Sequence, residues 1–251
     1  MGLFRYTHDC LEAGQGRWPA AGPDRVLPPG QTLRDRPKQI RIFANPVVEF
    51  FGRAHPATPV VWFAPVVTGA MWWSIGRLGL RQSLFAFAAG VFLWTLMEYL
   101  LHRVVMHGLL RRTETAEQRF RGFMIHGYHH EFPDDPMHLV MPPLVSWPLA
   151  LAVGLVWRAC FGPLVFGAVL AGTVTGYVAY DEIHYYTHHA RPRNPVGKWL
   201  RQYHMRHHFE HEESRYGISN PLWDLVFGTF RSSRRAPGNG APKTPSQEQP
   251  A

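Results

Sequence analysis

The chain has 251 residues, enough for one large domain with a sizeable core. Apolar residues make up 46% of the chain and charged residues only 18%, below the roughly 25% of an average soluble domain. The two cysteines, Cys10 and Cys160, lie far apart in unlike contexts, which excludes a disulfide framework or a thiolate metal site.

The N-terminal region is polar, basic and rich in Gly and Pro. Residues 1–38 predict a flexible polar arm, and we expect no cleavable signal peptide because no basic segment leads directly into an apolar core. Apolar residues interrupted by charged ones over 39–52 favour a short amphipathic helix on a membrane surface, and a plain packing helix fits nearly as well. We expect one main domain over residues 39–230 and a disordered tail over residues 231–251.

Four long apolar blocks predict an all-α integral membrane protein. A helix needs about 20 apolar residues to cross a bilayer, and each block approaches that length, with tryptophan in the first three. Four buried helices of a soluble protein are the alternative, which four such blocks in a chain of this size disfavour. The expected transmembrane helices lie near residues 57–76, 82–101, 142–157 and 159–183.

Lysine and arginine are unevenly distributed around these spans. Residues 1–56 hold 8, residues 103–141 hold 5 and residues 187–251 hold 10 of the 26. Because cytoplasmic loops are enriched in these residues, we expect four spans in two hairpins, with both termini and the middle loop cytoplasmic. The net charge of +8 then reflects orientation and attraction to anionic lipid, and no nucleic-acid partner is expected.

Histidines are the most informative feature of the sequence. Of the 15 in the chain, 11 fall in four clusters, and all four clusters lie on the predicted cytoplasmic side of the spans. Residues three or four apart share a helix face, which brings two triples and one pair into convergent positions. Neutral imidazole is the commonest metal ligand, and ten are too many for one ion, so we predict a two-metal site. Its predicted ligands are His102, His107, His126, His129, His130, His184, His188, His204, His207 and His208.

Two pairs of histidines in these clusters are five residues apart, a spacing that does not place them on one face of an α-helix. His189 is five positions after His184 and points away from that face, so we leave it out of the ligand set. His102 and His107 are also five apart, and they meet only if their helix ends or bends between them.

Glu98 and Asp181 lie close to His102 and His184 at the ends of apolar spans, where an ionised group is costly, and we expect them to orient the ligands.

The remaining titratable residues are expected to be ordinary. We interpret four histidines outside the ligand set as exposed or satisfied side chains: His8, His55, His138 and His211. Six acids near the clusters are interpreted as solvated loop residues: Glu131, Asp134, Asp135, Glu210, Glu212 and Glu213.

At these residues the sequence resembles the membrane fatty acid hydroxylase superfamily, and most closely the fatty acid 2-hydroxylases. The likeness runs from about residue 40 to residue 230. Histidine motifs alone also occur in desaturases, sterol oxidases and carotenoid hydroxylases. The resemblance to the 2-hydroxylases in particular therefore depends on Leu139-Val140-Met141-Pro142-Pro143 and Gly217-Ile218-Ser219. The matching segments are Glu98-Tyr99-x-x-His102-Arg103, His107, His126-Gly127-x-His129-His130, Gly176-Tyr177-x-x-Tyr180-Asp181-x-x-His184-Tyr185, Tyr203-His204-x-x-His207-His208-Phe209-x-His211, Leu222-Trp223-Asp224, Leu139-Val140-Met141-Pro142-Pro143 and Gly217-Ile218-Ser219.

The resemblance implies four membrane helices, a cytosolic helical cap and a dimetal centre held by the same ten histidines. The metal is implied to be iron, with zinc possible in a purified sample, and the reaction to be O2-dependent hydroxylation at C2 of a long-chain fatty acid, free or within a sphingolipid. Relatives often carry a fused cytochrome b5 domain. The first 55 residues contain no His-Pro-Gly-Gly haem motif, so we expect a separate electron donor, cytochrome b5-like or ferredoxin-like.

The position of the clusters favours C2 as the site of reaction. An acyl chain can rise from the bilayer between the spans while its polar head stays at the cytosolic surface, which places carbons near the head beside the metals. The candidates for contact with that head group are Arg103, Tyr128, His138 and Tyr203.

Three other functions remain open from the sequence. A membrane lipid desaturase or a sterol or carotenoid oxidase would use the same metal ligands. A non-catalytic metal-binding transport protein would place histidines within the spans rather than at their ends. A soluble nucleic-acid binder is the most distant alternative.

Overall fold

The computed structural model describes residues 4–15, 38–109 and 115–230. Within these ranges the chain is helical and irregular, with one isolated bridge between Tyr6 and Phe43. Two π-helices, π1 (Leu101–Leu109) and π2 (Phe123–Gly127), lie among the α-helices. The α-helices are α1 (His8–Gly14), α2 (Pro46–Gly52), α3 (Thr58–Leu78), α4 (Leu80–Leu100), α5 (Ala116–Gly122), α6 (Tyr128–Glu131), α7 (Pro143–His189), α8 (Pro195–Phe209) and α9 (Leu222–Val226).

Two glycines reverse the chain between long apolar helices. Gly79 (φ 79°) separates α3 from α4, and Gly162 (φ 71°) interrupts α7. Trp157 donates its indole N–H to the Thr173 hydroxyl at 3.0 Å. These residues are 16 positions apart, which in a straight helix is about 24 Å, so the two halves of α7 lie side by side.

The position of the second reversal corrects the sequence prediction. We expected the turn at residue 158, between spans over 142–157 and 159–183, whereas the helix continues to Gly162. Only glycine adopts this positive φ without steric cost, and Pro163 directly follows it, as is common in the first turn of a helix. Arg158 stays within the helix, since arginine is a good helix former, and its guanidinium carbon lies 5.8 Å from the centre of the Phe166 ring.

Helices α3, α4 and α7 form the apolar part of the molecule. Phe63 of α3, Trp94 of α4 and Tyr177 of α7 pack in one buried cluster. Among the residues that the structure describes, two helices are long and apolar enough to cross a membrane, namely α4 with π1 (Leu80–Leu109) and α7. Their outward side chains are large and apolar, and Phe85, for example, is 80% exposed.

Close approach of α4 and α7 depends on glycine. A Cβ atom at Gly90 of α4 would collide with the backbone oxygen of Val169, and one at Gly172 of α7 would collide with the backbone oxygen of Phe87. Small residues at such positions allow helix backbones to pack directly against each other, as in membrane helix pairs. This contact holds the ends of α4 and α7 together.

The N-terminal region packs on the polar half of the molecule. Cys10 and Ala13 of α1 join Ile40 and Ile42 in a buried cluster with Phe123 of π2. The predicted flexible arm therefore includes a packed helix, and its remaining residues, 1–3 and 16–37, lie outside the described ranges, as does the predicted disordered tail.

The helix predicted over 39–52 is shorter than expected. It begins at Pro46, after Asn45, whose side chain accepts hydrogen bonds from the Val47 and Val48 amides. Residues 40 and 42 belong instead to an extended, buried segment.

The α4–α7 contact can be tested by one methyl group. Gly90→Ala is expected to lower the melting temperature in detergent by about 3–10 °C, since overpacking costs about 1–3 kcal/mol. The matched control is Gly69→Ala in α3, where a Cβ atom meets nothing within 4 Å. Equal melting temperatures for both variants would show that α4 and α7 do not pack as described.

Candidate metal centre

All ten predicted ligand histidines lie in two adjoining groups of five. Within each group the candidate ligand nitrogens all lie within 4.8 Å of one another. The two groups touch, because the rings of His130 and His208 stack with centroids 4.2 Å apart. Group one contains His102, His107, His126, His130 and His207, and group two contains His129, His184, His188, His204 and His208.

The π-helix π1 explains how His102 and His107 meet. We expected the helix to end or bend between them, and this expectation is wrong. The backbone widens to hydrogen bonds between residues five apart, which places both rings on one face with centroids 4.9 Å apart.

The two histidine triples divide between the groups. His126 and His130, four residues apart, join group one, while His129 joins group two. The second triple divides in the opposite sense, since His204 and His208 join group two and His207 joins group one. Each group thus consists of one pair from the end of a long apolar helix, one pair from a triple and the third member of the other triple.

The spacing of the nitrogens fits a shared metal ion. In group one the His126 Nε2 atom lies 3.1 Å from His102 Nε2 and 2.9 Å from His130 Nε2. In group two the His129 Nε2 atom lies 3.0 Å from His184 Nε2 and 2.9 Å from His208 Nε2. Two nitrogens bound at right angles to one metal at about 2.1 Å are about 3.0 Å apart.

Hydrogen bonds among the imidazoles cannot account for these contacts. A neutral imidazole carries one N–H, so a single Nε2 cannot donate to two neighbours. The Nδ1–H of His102 is donated to the Tyr216 carbonyl at 2.7 Å, which leaves its Nε2 as a lone pair directed at His126. A cation between these lone pairs satisfies all of them at once, and the residues therefore fit a metal.

The electrostatic environment keeps the ligands neutral. Burial, and then repulsion from neighbouring histidines, holds the pKa of His126, His129 and His204 well below its usual value. Neutral imidazole is the form that binds a metal, so at pH 7 no proton has to be displaced from these rings. The same causes lower the pKa of His130, His207 and His208.

Backbone carbonyls after α8 orient two ligands of group one. His207 Nδ1 donates to the Ser214 carbonyl at 2.7 Å, as His102 does to Tyr216. Arg215, between these residues, adopts φ 60°, a left-handed conformation that is strained for arginine. Partners of this kind fix the tautomer and ring orientation of a metal-binding histidine.

A buried carboxylate holds this loop in place. Asp224 of α9 is fully buried and accepts hydrogen bonds from the amides of Tyr216 and Gly217 at 2.9 and 2.7 Å. The Thr229 hydroxyl donates to it as well, at 2.7 Å. Sequence reasoning gave Asp224 no functional role, although Asp224 belongs to Leu222-Trp223-Asp224, one of the segments that carry the family resemblance.

We expected Glu98 and Asp181 to orient the ligands, but they do not bond to them. Among the described residues, neither carboxylate has a hydrogen bond to a histidine. Glu98 accepts from the amide and hydroxyl of Ser219, and Asp181 accepts from the Met141 amide at 3.2 Å. Both carboxylates fasten neighbouring loops, and the Nδ1 atom of His102, the ligand next to Glu98, is bonded to the Tyr216 carbonyl instead.

Most of the histidines and acids that were predicted to be exposed, satisfied or solvated are exposed or half-buried. The side chain of His8 is 84% exposed, and His55, His211, Asp134, Glu210 and Glu213 are also exposed, while Glu131 and Glu212 are half-buried. Asp135 is an error of prediction, since it is fully buried and bonded to the Tyr128 hydroxyl at 2.6 Å and to His138 Nδ1 at 2.7 Å. The side chain of His138 is 7% exposed and bonded to Asp135, which agrees with the prediction of an exposed or satisfied histidine in its second form.

The four candidate head-group residues lie in different places. The Arg103 guanidinium donates to the Tyr99 hydroxyl at 2.7 Å, and the Tyr203 ring stacks on Trp199. The Tyr128 hydroxyl is buried and bonded to Asp135. Of the four, His138 lines a cavity of about 910 Å³ beside the start of α3.

The fold and the site define a helical protein with a histidine-rich site that fits metal binding, and comparison with known proteins names the family. The model of the fatty acid hydroxylase family matches residues 87–229. The dihydroceramide fatty acyl 2-hydroxylase FAH1 of Arabidopsis thaliana is 37% identical over 183 residues, 71% of this chain and 74% of that protein.

Two further matches are a yeast protein and a solved structure. The ceramide very long chain fatty acid hydroxylase SCS7 of Saccharomyces cerevisiae is 34% identical over 75% of this chain and 49% of that protein. A solved structure of full-length scs7p, with only the hydroxylase domain visible, is 33% identical with a TM-score of 0.69, over 74% of this chain and 70% of that one. The chain belongs to the fatty acid hydroxylase family, and it is a hydroxylating oxidoreductase.

Metal content tests the division into two groups. After loading with iron, the wild-type protein is expected to hold about two ions per chain. The double variants His102→Ala/His126→Ala and His184→Ala/His204→Ala are each expected to retain about one, because each loses two ligands of one group only. Elemental analysis by mass spectrometry measures this, and a comparable loss in the control His189→Ala would contradict the ligand set.

The orienting loop can be tested separately. Asp224→Asn replaces an acceptor oxygen by an amide group facing backbone N–H groups, so the Tyr216 carbonyl loses its fixed position. We expect metal affinity of group one to fall about 10-fold, with group two unchanged. Competition with a chelator measures both affinities, with Asp134→Asn as the exposed control; equal losses at both groups would argue against a role for this loop.

Proposed function

We propose that the chain is an O2-dependent dimetal hydroxylase that inserts a hydroxyl group at C2 of long-chain fatty acyl groups, free or within a sphingolipid. The observation that carries the proposal is the pair of adjoining five-histidine groups. Its substrate class follows from the relatives, whose names describe 2-hydroxylation of fatty acyl and ceramide lipids.

The ten histidines are proposed to hold two iron ions, five ligands to each. Iron suits an all-imidazole site, although zinc can occupy the same ligands in a purified sample. When bound, the metal pair supplies the oxidation of an unactivated C–H bond, which side-chain acids and bases cannot perform. The protein holds the ligands in their neutral form and excludes water, since most of the rings are buried.

The chain is proposed to cross the bilayer four times, with α3, α4 and the two halves of α7 as the spans. Exposed apolar side chains on these helices and the bias of Lys and Arg support this topology. Both termini and the metal centre are then cytoplasmic. The electron donor is proposed to be a separate protein, cytochrome b5-like or ferredoxin-like.

An acyl chain is proposed to lie between α4 and α7. A cavity of about 30 Å³ there is lined by Trp94, Met97, Met141 and Tyr177, among others. The flexible methionine side chains can move to enlarge it. Tyr180, one turn from Tyr177 towards the site, lies with its ring centre 5.8 Å from that of His184, so an acyl chain in this position leads to the metal ligands.

Product analysis tests the proposal. Cells that produce the wild-type chain are expected to accumulate acyl groups heavier by one oxygen and substituted at C2, and His207→Ala is expected to reduce this product by about 100-fold or more, because it removes a metal ligand. The control is His211→Ala, an exposed histidine just after the end of α8, the helix that carries His207. A loss of two hydrogens in the product would instead indicate a desaturase, and undiminished product from His207→Ala would defeat the proposal.

A further inference from the structure

Helix α9 carries an exposed apolar surface beside α4. Leu222, Leu225 and Val226 lie three or four residues apart and so share one helix face, and Leu225 and Val226 are each 60% exposed. Phe227, directly after the helix, is also exposed. Single exposed apolar residues are ordinary, whereas a contiguous group of them marks an interaction surface. We call these four residues the α9 surface.

The sequence around the α9 surface is poor in charge. Between Tyr216 and Phe230 the one charged residue is Asp224, and its side chain is fully buried and hydrogen-bonded. The sequence that follows, residues 231–251, contains no Val, Ile, Leu, Met, Phe, Tyr or Trp. That segment therefore has no large apolar side chain with which to cover the α9 surface.

Contacts with α4 fix the level of α9 along the apolar helices. The Trp223 indole N–H donates to the Thr95 hydroxyl at 2.9 Å, and the centres of the Trp223 and Phe92 rings are 5.7 Å apart. Thr95 and Phe92 precede Leu100, the last residue of α4, by five and eight residues, which is about 8 and 12 Å along an α-helix. Helix α9 therefore lies beside the apolar part of α4 rather than beyond its end.

Irregular backbone next to α9 finds hydrogen-bond partners within the protein. Backbone N–H groups in hydrocarbon have no water to bond, so they need such partners. The amides of Thr229 and Phe230 donate to the Asp224 carbonyl at 2.8 and 3.0 Å. The Ser219 amide donates to the Glu98 carboxylate of α4 at 2.8 Å. These bonds, together with those from the Tyr216 and Gly217 amides to Asp224, suit the segment to an apolar environment.

We propose that α9 is embedded in the cytoplasmic leaflet of the bilayer, with the α9 surface against the lipid acyl chains, and that this contact holds the loop that orients the ligands of group one. Helices that lie in the membrane interface bury their apolar face about 5–10 Å deep, which agrees with the level of Thr95. The inference rests on the proposed function in one respect, because it takes α4 as a membrane span.

Two neighbouring features favour lipid over another occupant of this surface. The exposed side of α4 continues it, since Phe92 and Leu100 are also exposed, and the same acyl chains would cover both helices. In the sequence, Arg231, Arg234 and Arg235 follow directly after the apolar segment. Basic residues beside a membrane segment are attracted to the anionic head groups of the cytoplasmic leaflet.

The two sides of α9 link the bilayer to the metal centre. Leu225 and Val226 face outwards, while Asp224 between Trp223 and Leu225 is buried and accepts the Tyr216 amide. The Tyr216 carbonyl in turn accepts from His102 Nδ1. Lipid contact that keeps α9 in place therefore keeps this carbonyl in place as well.

Collision rates of a spin label decide where α9 lies. A nitroxide is attached to Leu225→Cys in the protein in lipid nanodiscs, loaded with zinc because iron would broaden the signal. Exposed Cys160 is replaced by serine, while Cys10 is fully buried. O2 concentrates in hydrocarbon and a nickel chelate stays in water. The ratio of the O2 to the nickel collision rate is therefore expected to be several-fold higher at 225 than at the exposed control His211→Cys.

A second control, Phe85→Cys, separates this inference from the proposed spans. Phe85 is exposed in α4 and lies five residues after Leu80, its first residue, or about 8 Å from that end. A low ratio at 225 with a high ratio at 85 would overturn the inference and leave the spans standing, and low ratios at both would overturn both. Slow collision with both reagents at 225 would place protein, such as a second copy of the chain, on the α9 surface and would also overturn the inference.

A charge placed on the α9 surface tests its link to the metal centre. Leu225→Glu is expected to draw α9 towards water, because an ionised side chain is costly in hydrocarbon. Metal affinity of group one should then fall roughly tenfold, as for loss of an orienting partner, with group two unchanged. Chelator competition in nanodiscs measures both affinities, and the volume-conserving control Leu225→Met should match the wild type. Equal affinities for the two variants would show that the loop does not depend on lipid contact.

Discussion

The structure depends on the crowding of imidazole nitrogens. His126 and His129 each have two other Nε2 atoms at about 3 Å, closer than neutral rings with lone pairs directed at one another can remain unaided. A cation turns this repulsion into coordination. Because metal binding of this kind contributes directly to folding, ions bound in the two groups would stabilise the positions of the helices that carry the ten histidines.

The packing of α4 against α7 brings the histidines at their ends close together. The backbones of α4 and α7 approach closely at Gly90 and Gly172, so the histidines at their ends lie side by side. The exchange of His129 and His207 between the groups means that neither group forms from adjacent parts of the chain. The two groups are therefore assembled together, and the stacked rings of His130 and His208 share the boundary.

The gathering of histidines could be predicted where their spacing is regular, and could not be predicted where the backbone is irregular. His184 and His188 lie four apart on an α-helix, so their convergence follows from the sequence. The meeting of His102 and His107 required a π-helix, for which a sequence has no simple signature. The division of each triple could not be foreseen, because all three members share one helix face and only packing decides which group each one joins.

The orienting groups were predicted at the wrong residues for a related reason. Acids close to the ligands in sequence, Glu98 and Asp181, were expected to accept the spare N–H groups. Backbone carbonyls of Ser214 and Tyr216 do so instead for His207 and His102. Every residue has a carbonyl, so none stands out in a sequence. Asp135 was misplaced because its partners Tyr128 and His138 become visible only in the folded chain.

The central claim is that two ions lie within the histidine groups. Crystals of the iron-loaded protein measured on both sides of the iron absorption edge test it most directly. The account predicts two anomalous peaks per chain, one among His102, His107, His126, His130 and His207 and the other among His129, His184, His188, His204 and His208. A single peak, or peaks lying outside these groups, would contradict it.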